Sequence, residues 1–158
     1  MSHVEFKAPN PDNRQPKIRE AISACEIVGE VYCSDGHSPS PPWWTYGKTS
    51  DMINPLPCSL WVMIDENPDS VNDAAFAVKM DYQGRATLWQ DGPATYHCGG
   101  CGFNFADGHS GIKKWRDPRT TSPPMVPTYR LTFPNGTQQP NNPDIQWVQD
   151  RTSAGMKP

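Results

Sequence analysis

The chain has 158 residues, enough for one domain with a real hydrophobic core. A net charge of −3 and a pI near 5.7 give no basic surface for nucleic acid. Only 35% of the residues are apolar, against 12 glycines and 18 prolines, which excludes a helical bundle and suggests short strands joined by many turns.

Residues 1–16 read as an extended leader, polar and proline-bearing, and residues 17–158 as a single globular head. The first twenty residues have no apolar middle of the signal-peptide kind. No stretch approaches the roughly 18 apolar residues of a membrane span. The chain as it stands is therefore expected to be soluble, without an export signal. Residues 17–28 are ambiguous between helix and strand, and Glu26 to Tyr32 read better as a strand. Three prolines and an Asp-Gly pair make Ser34 to Trp44 a loop.

Ser59 to Ile64 is a continuous apolar run ending in Asp65-Glu66, and its shortness fits a strand buried on both faces. Ala74 to Met80 and Arg85 to Gln90 read as two further strands around a turn at Tyr82-Gln83-Gly84. Asp107-Gly108 favours a two-residue hairpin turn with positive φ at both central positions. Such a turn pairs Ala106 with His109, Phe105 with Ser110, Asn104 with Gly111 and Phe103 with Ile112. Strand alternation then puts Phe103, Phe105 and Ile112 on the core face, with Asn104, Ala106 and His109 pointing away. The basic run Lys113, Lys114, Arg116 and Arg119, interrupted by Asp117, reads as a solvated strand end.

Residues 117–139 are proline- and threonine-rich coil, with one strand at Thr128 to Phe133. Asn142-Pro143-Asp144 supplies a helix cap, a first-turn proline and an acidic residue at the dipole's positive end. Ile145 and Val148 would face inward from that short helix. The expected fold is α+β and mostly β: an antiparallel sheet of about four or five strands, long loops and one short C-terminal helix.

His97, nine residues and then Asp107-Gly108 form a signature that resembles the bacterial prepilin-type processing-associated domain. Further strings are similar to that family in the same order. They are Leu60 to Glu66 with Pro68-Asp69-Ser70 and Asn72-Asp73, Trp89 to Ala94 with Tyr96-His97, Phe105 to His109 with Lys114 to Asp117, and Gln139 to Ile145. The resemblance covers about residues 48–153. It implies a pilin-like or pseudopilin-like head domain of the type IV pilus or type II secretion kind. It also implies a place in the cell envelope or outside it, other pilin or pseudopilin subunits as partners, and no enzymatic turnover. The prepilin cleavage site and long hydrophobic helix of that family have no counterpart in residues 1–158.

Three residue sets carry possible chemistry. His97, Cys98, Cys101 and His109 have the ligand types of a zinc site, because thiolate and imidazole both suit that ion. The alternatives are a Cys98–Cys101 redox pair, or small residues in a glycine-rich turn with His97 bonded to Asp65 or Glu66. The five cysteines, Cys25, Cys33, Cys58, Cys98 and Cys101, are odd in number, so one at least cannot join an internal disulfide. Asp65, Glu66, Asp69, Asn72 and Asp73 offer the oxygen ligands calcium needs, and the resemblance adds that some pseudopilin heads hold calcium in a loop. The alternative is a turn whose side chains cap its own backbone. Trp43, Trp44 and Tyr46 could stack on sugar rings in a glycan-binding module, or cover the edge of the core. Neighbouring strand residues point to opposite faces, so Asp65 and Glu66 cannot act together on one substrate, and no nucleophile elbow or phosphate loop is present.

Overall fold

The computed structural model describes residues 22–24, 46, 48–71, 76–80, 88–121, 133, 134 and 136–154. Its centre is a small antiparallel sheet. Strands β2 (Trp61–Asp65), β3 (Gly100–Phe105) and β4 (Ser110–Lys114) lie side by side, and the short β1 (Ile22–Ala24) runs along the other edge of β2. Two helices follow: a single turn, α1 (Pro118–Thr121), and α2 (Pro143–Gln149). No helix among the described residues is long and apolar enough to cross a membrane.

One face of the sheet carries the core. Trp61, Phe103, Trp115 and Trp147 meet edge to face around Phe103, with centroid separations of 6.1 Å to Trp61, 6.1 Å to Trp115 and 5.1 Å to Trp147. Those spacings suit the quadrupoles of aromatic rings. Helix α2 adds Ile145 and Val148 to the same cluster, as the sequence predicts. Asn142 is its cap: the Oδ1 accepts the N–H groups of Asp144 at 2.8 Å and Ile145 at 3.4 Å.

The β3–β4 register differs by one residue from the sequence expectation. Asn104 faces Ser110, Phe103 faces Gly111 and Gly102 faces Ile112. The connection is three residues long, Ala106-Asp107-Gly108, and only Gly108 enters the left-handed region, at φ +92°. Gly108 N–H donates to Phe105 O at 2.9 Å, and Phe105 N–H donates to His109 O at 2.9 Å. A three-residue connection closed by a left-handed glycine is a hairpin with a bulge. The extra residue turns every β4 side chain over. Ile112 is consequently 58% exposed, while Lys113 points inward with only 13% of its side chain exposed. The solvated basic run therefore fails at its first member.

Lys113 reaches Asp144, which has no exposed surface, at Nζ–Oδ1 3.1 Å. Its ammonium lies 5.3 Å and 5.4 Å from the ring centroids of Trp115 and Trp147. The carboxylate of Asp144 also accepts N–H from Arg116 (2.8 Å to Oδ2) and Asp117 (2.8 Å to Oδ2). A buried carboxylate is tolerable only when charge and hydrogen bonds surround it, and here both do.

Two other expectations change. The apolar run at Ser59 to Ile64 is not buried on both faces: Trp61 and Ile64 are buried but Met63 is 42% exposed, since the pairing shifts between Trp61 and Met63 and the core covers only one face. Phe76 to Met80 and Leu88 to Gln90, the described parts of the two predicted strands, join no strand. Side chains hold that backbone instead: Ala77 N–H donates to Asp91 Oδ2 at 2.6 Å and Gln149 Nε2 donates to Lys79 O at 2.8 Å. The leader at residues 1–16 and the strand at Glu26 to Tyr32 lie outside the described residues, as does most of Thr128 to Phe133.

Removing the Asp144 carboxylate should leave an uncompensated buried ammonium. Asp144→Ala is expected to cost about 3–5 kcal/mol in urea unfolding, and adding Lys113→Met should recover part of it. A single variant within about 0.5 kcal/mol of wild type would contradict the buried pair.

Candidate functional site

The His97 signature occupies the two ends of β3. Before the strand, His97 N–H donates to Gly100 O at 3.2 Å and Gly99 N–H to Thr95 O at 3.1 Å. Cys98 (φ +52°) and Gly99 (φ +77°) are both left-handed, which the glycine adopts without steric cost. Lys114 Nζ donates to the carbonyls of His97 and Cys98, the latter at 3.2 Å, and so ties this turn to β4. After the strand, Asp107 and Gly108 make the hairpin turn.

His97 is held by Asp65. Its Nε2–H donates to Asp65 Oδ2 at 3.1 Å, and the same oxygen accepts Gly102 N–H at 2.8 Å. The Asp65 carbonyl accepts Ala94 N–H at 3.0 Å and the Cys101 thiol at 3.1 Å. One residue at the end of β2 thus joins β3, the segment before it and the histidine. Gly102 belongs to this arrangement: a Cβ there would lie 2.5 Å from Asp65 Oδ2.

The four zinc candidates go to different places. Cys101 is fully buried in the aromatic core, and burial together with the negative charge of Asp65 pushes its thiol well above the usual range. A thiolate, the form that binds metal or starts disulfide exchange, is strongly disfavoured there. Cys98 is exposed, and both cysteines are free. His109 lies at the far end of β3 and on the core side, whereas strand alternation in the sequence predicts it pointing away from the core. Its ring stacks on Phe105 at 4.3 Å and 6°. The bulge is the reason, since it carries residue 109 back over the aromatic face. Among the described residues, no three His, Cys, Asp or Glu side chains gather as a metal-binding group. Alternation from Phe103 and Phe105 back to Cys101 was the available signal that this cysteine faces the core.

The calcium candidates divide similarly. Asp65 is engaged by His97, and Glu66 is fully buried beneath Tyr96, whose hydroxyl donates to Glu66 O at 3.3 Å. Asp69 lies in a turn where Asn67 Oδ1 accepts its N–H at 3.0 Å and Asn67 O accepts Ser70 N–H at 2.8 Å. Asn72 and Asp73 lie outside the described residues, as do Trp43 and Trp44. Tyr46 does not present its ring for stacking: it is 7% exposed and its hydroxyl donates to Asn54 O. Desolvation raises its pKa accordingly.

What sequence reasoning missed is the Lys113–Asp144 pair with Trp115 and Trp147, because the pattern of charges on a strand depends on a register that the bulge resets. No family model, curated protein or solved structure matches the chain.

The arrangement positions backbone, with Asp65 and Lys114 tying β2 and β4 to the turn before β3. Two outcomes follow from the geometry. Gly102→Ala should destabilise the fold by about 1–3 kcal/mol through the clash with Asp65, and Asp65→Ala should cost less in that background than in wild type. Additive costs in urea unfolding would contradict the contact. In native protein, a thiol-alkylating reagent should modify exposed Cys58 and Cys98 well before Cys101, as peptide mass mapping would read; equal rates would contradict the burial of Cys101.

Proposed function

We propose that the chain is the head domain of a pilin-like or pseudopilin-like structural subunit, working by protein–protein packing and not by turnover. The observation that carries the reading is the placement of the signature. His97 and Asp107-Gly108 sit at opposite ends of one strand, and each is engaged in holding that strand, His97 through Asp65 and Gly108 through the bulged hairpin. A signature spent on strand geometry supports a scaffold role over a reaction centre.

A mostly β head with a short C-terminal helix is compatible with the pilin-like architecture that the resemblance implies. In this reading the sheet belongs to the four- or five-stranded head of such a subunit, its partners are other pilin or pseudopilin subunits, and its place is the cell envelope or the exterior. Metal stabilisation and glycan binding are the competing proposals for the same module; among the described residues no three His, Cys, Asp or Glu gather for a metal, and Trp43 and Trp44 lie outside those residues.

The test is fractionation of the producing bacterium. The protein should appear in the sheared surface-filament or pseudopilus fraction, and deletion of the prepilin peptidase should remove it from there. Recovery only from the cytosol, unchanged by that deletion, would overturn the proposal.

A further inference from the structure

The hairpin tip contains a chemical hazard together with contacts that oppose it. In an aspartyl-glycyl pair the glycine has no side chain to shield its nitrogen. That nitrogen can attack the Cγ of the protonated aspartate, forming the new C–N bond of a five-membered succinimide while the Cγ–OH bond breaks and that hydroxyl leaves with the amide proton as water. Water then reopens the ring at either carbonyl, giving aspartate or isoaspartate. No oxidant or cofactor is needed. Two features speed the reaction: a mobile backbone that lets nitrogen and Cγ meet, and a carboxyl that is protonated and so electrophilic.

Asp107-Gly108 is exposed at the tip, yet three contacts act against both requirements. Gly108 N–H is committed to Phe105 O at 2.9 Å. Asp107 Oδ1 is clamped by His109 twice, by the backbone N–H at 3.1 Å and by the ring Nδ1–H at 2.6 Å. The imidazole is in turn fixed flat on the Phe105 ring, 4.3 Å away and 6° from parallel. The carboxylate oxygen is therefore committed to residue 109, and the Gly108 N–H to Phe105 O.

We propose that His109 is a positioning residue that protects Asp107 from succinimide formation, and that Asp107 is the site of isoaspartate modification when the imidazole is lost. The same hydrogen bond lowers the Asp107 pKa and keeps the carboxyl ionised, the less electrophilic form. A second Asp-Gly pair supplies an internal comparison. Asp91 is buried, its Oδ2 accepts Ala77 N–H at 2.6 Å, and Gly92 N–H donates to Ser70 Oγ at 2.7 Å. That pair is buried and held by Ala77 and Ser70, not by His109, so it reports on unfolding. The inference does not depend on the pilin-like reading.

The experiment ages folded wild type, His109→Ala and His109→Phe at neutral pH and about 37 °C, below the usual melting range of a mesophilic domain, alongside the unfolded wild-type chain. Isoaspartate is then read at both Asp-Gly pairs by peptide mapping and isoaspartyl methyl transfer. His109→Phe keeps a ring to stack on Phe105 but has no ring nitrogen, and so loses the Nδ1 contact to Asp107. The expected result is slow conversion of Asp107 in folded wild type relative to the unfolded chain, and a severalfold rise at Asp107 in both variants with Asp91 unchanged. Asp107 converting equally fast in folded wild type and the unfolded chain would overturn the proposal. So would an Asp107 rate unmoved by His109→Phe, or a parallel rise at Asp91, which would assign the effect to loss of fold.

Discussion

The carboxylate of Asp144 is the interaction on which the rest of the structure depends. It stands in the first turn of α2, has no exposed surface, and accepts the backbone of Arg116 and Asp117 together with the ammonium of Lys113. The partners come from the end of the sheet and the chain just beyond it, so one charged group fastens the C-terminal helix to β4. The helix cap is tied in from the other side: Asn142 Nδ2 donates to Thr120 Oγ1 at 3.0 Å and to Gln139 Oε1 at 2.7 Å. Without that fastening, Ile145, Val148 and Trp147 would have no fixed approach to Phe103. A low-polarity surround makes such a network stiff when complete and costly when broken.

A second carboxylate does related work at the same end of β3, on its β2 side. Asp65 bonds His97 and Gly102 with one oxygen, while its carbonyl takes Cys101 and Ala94. The two sites flank the start of a strand from its two neighbours, and that strand alternates between core and open face, with Cys101, Phe103 and Phe105 inward and Asn104 outward. Histidine, cysteine and aspartate are grouped here as they often are around a metal or in a reaction centre. Their separate engagements explain the grouping as strand anchoring, with the cysteine serving as a small apolar residue.

Much of this was legible in the sequence wherever the cause was local. The cap, proline and acidic residue at 142–144 specify a helix start through nearest neighbours, and α2 begins there. Asp107-Gly108 marked a turn, and alternation around Phe103 and Phe105 marked the core face. The length of the turn was not legible: a left-handed glycine closes both a two-residue turn and a three-residue bulged one, and the choice flips β4. From that one residue came the misplacement of Ile112, Lys113 and His109. The partner of Lys113 lies thirty-one positions away in the chain, beyond anything periodicity can reach. Phe76 to Met80 had the composition of a strand but found side-chain acceptors and donors where a ladder partner was expected.

Native-state hydrogen exchange at the Arg116 and Asp117 amides tests the central claim most directly. Both N–H groups end on the buried carboxylate, so they should exchange only through global unfolding, as slowly as the amides of β3. Exchange of these two amides at the rate of an exposed loop, with β3 still protected, would contradict the account.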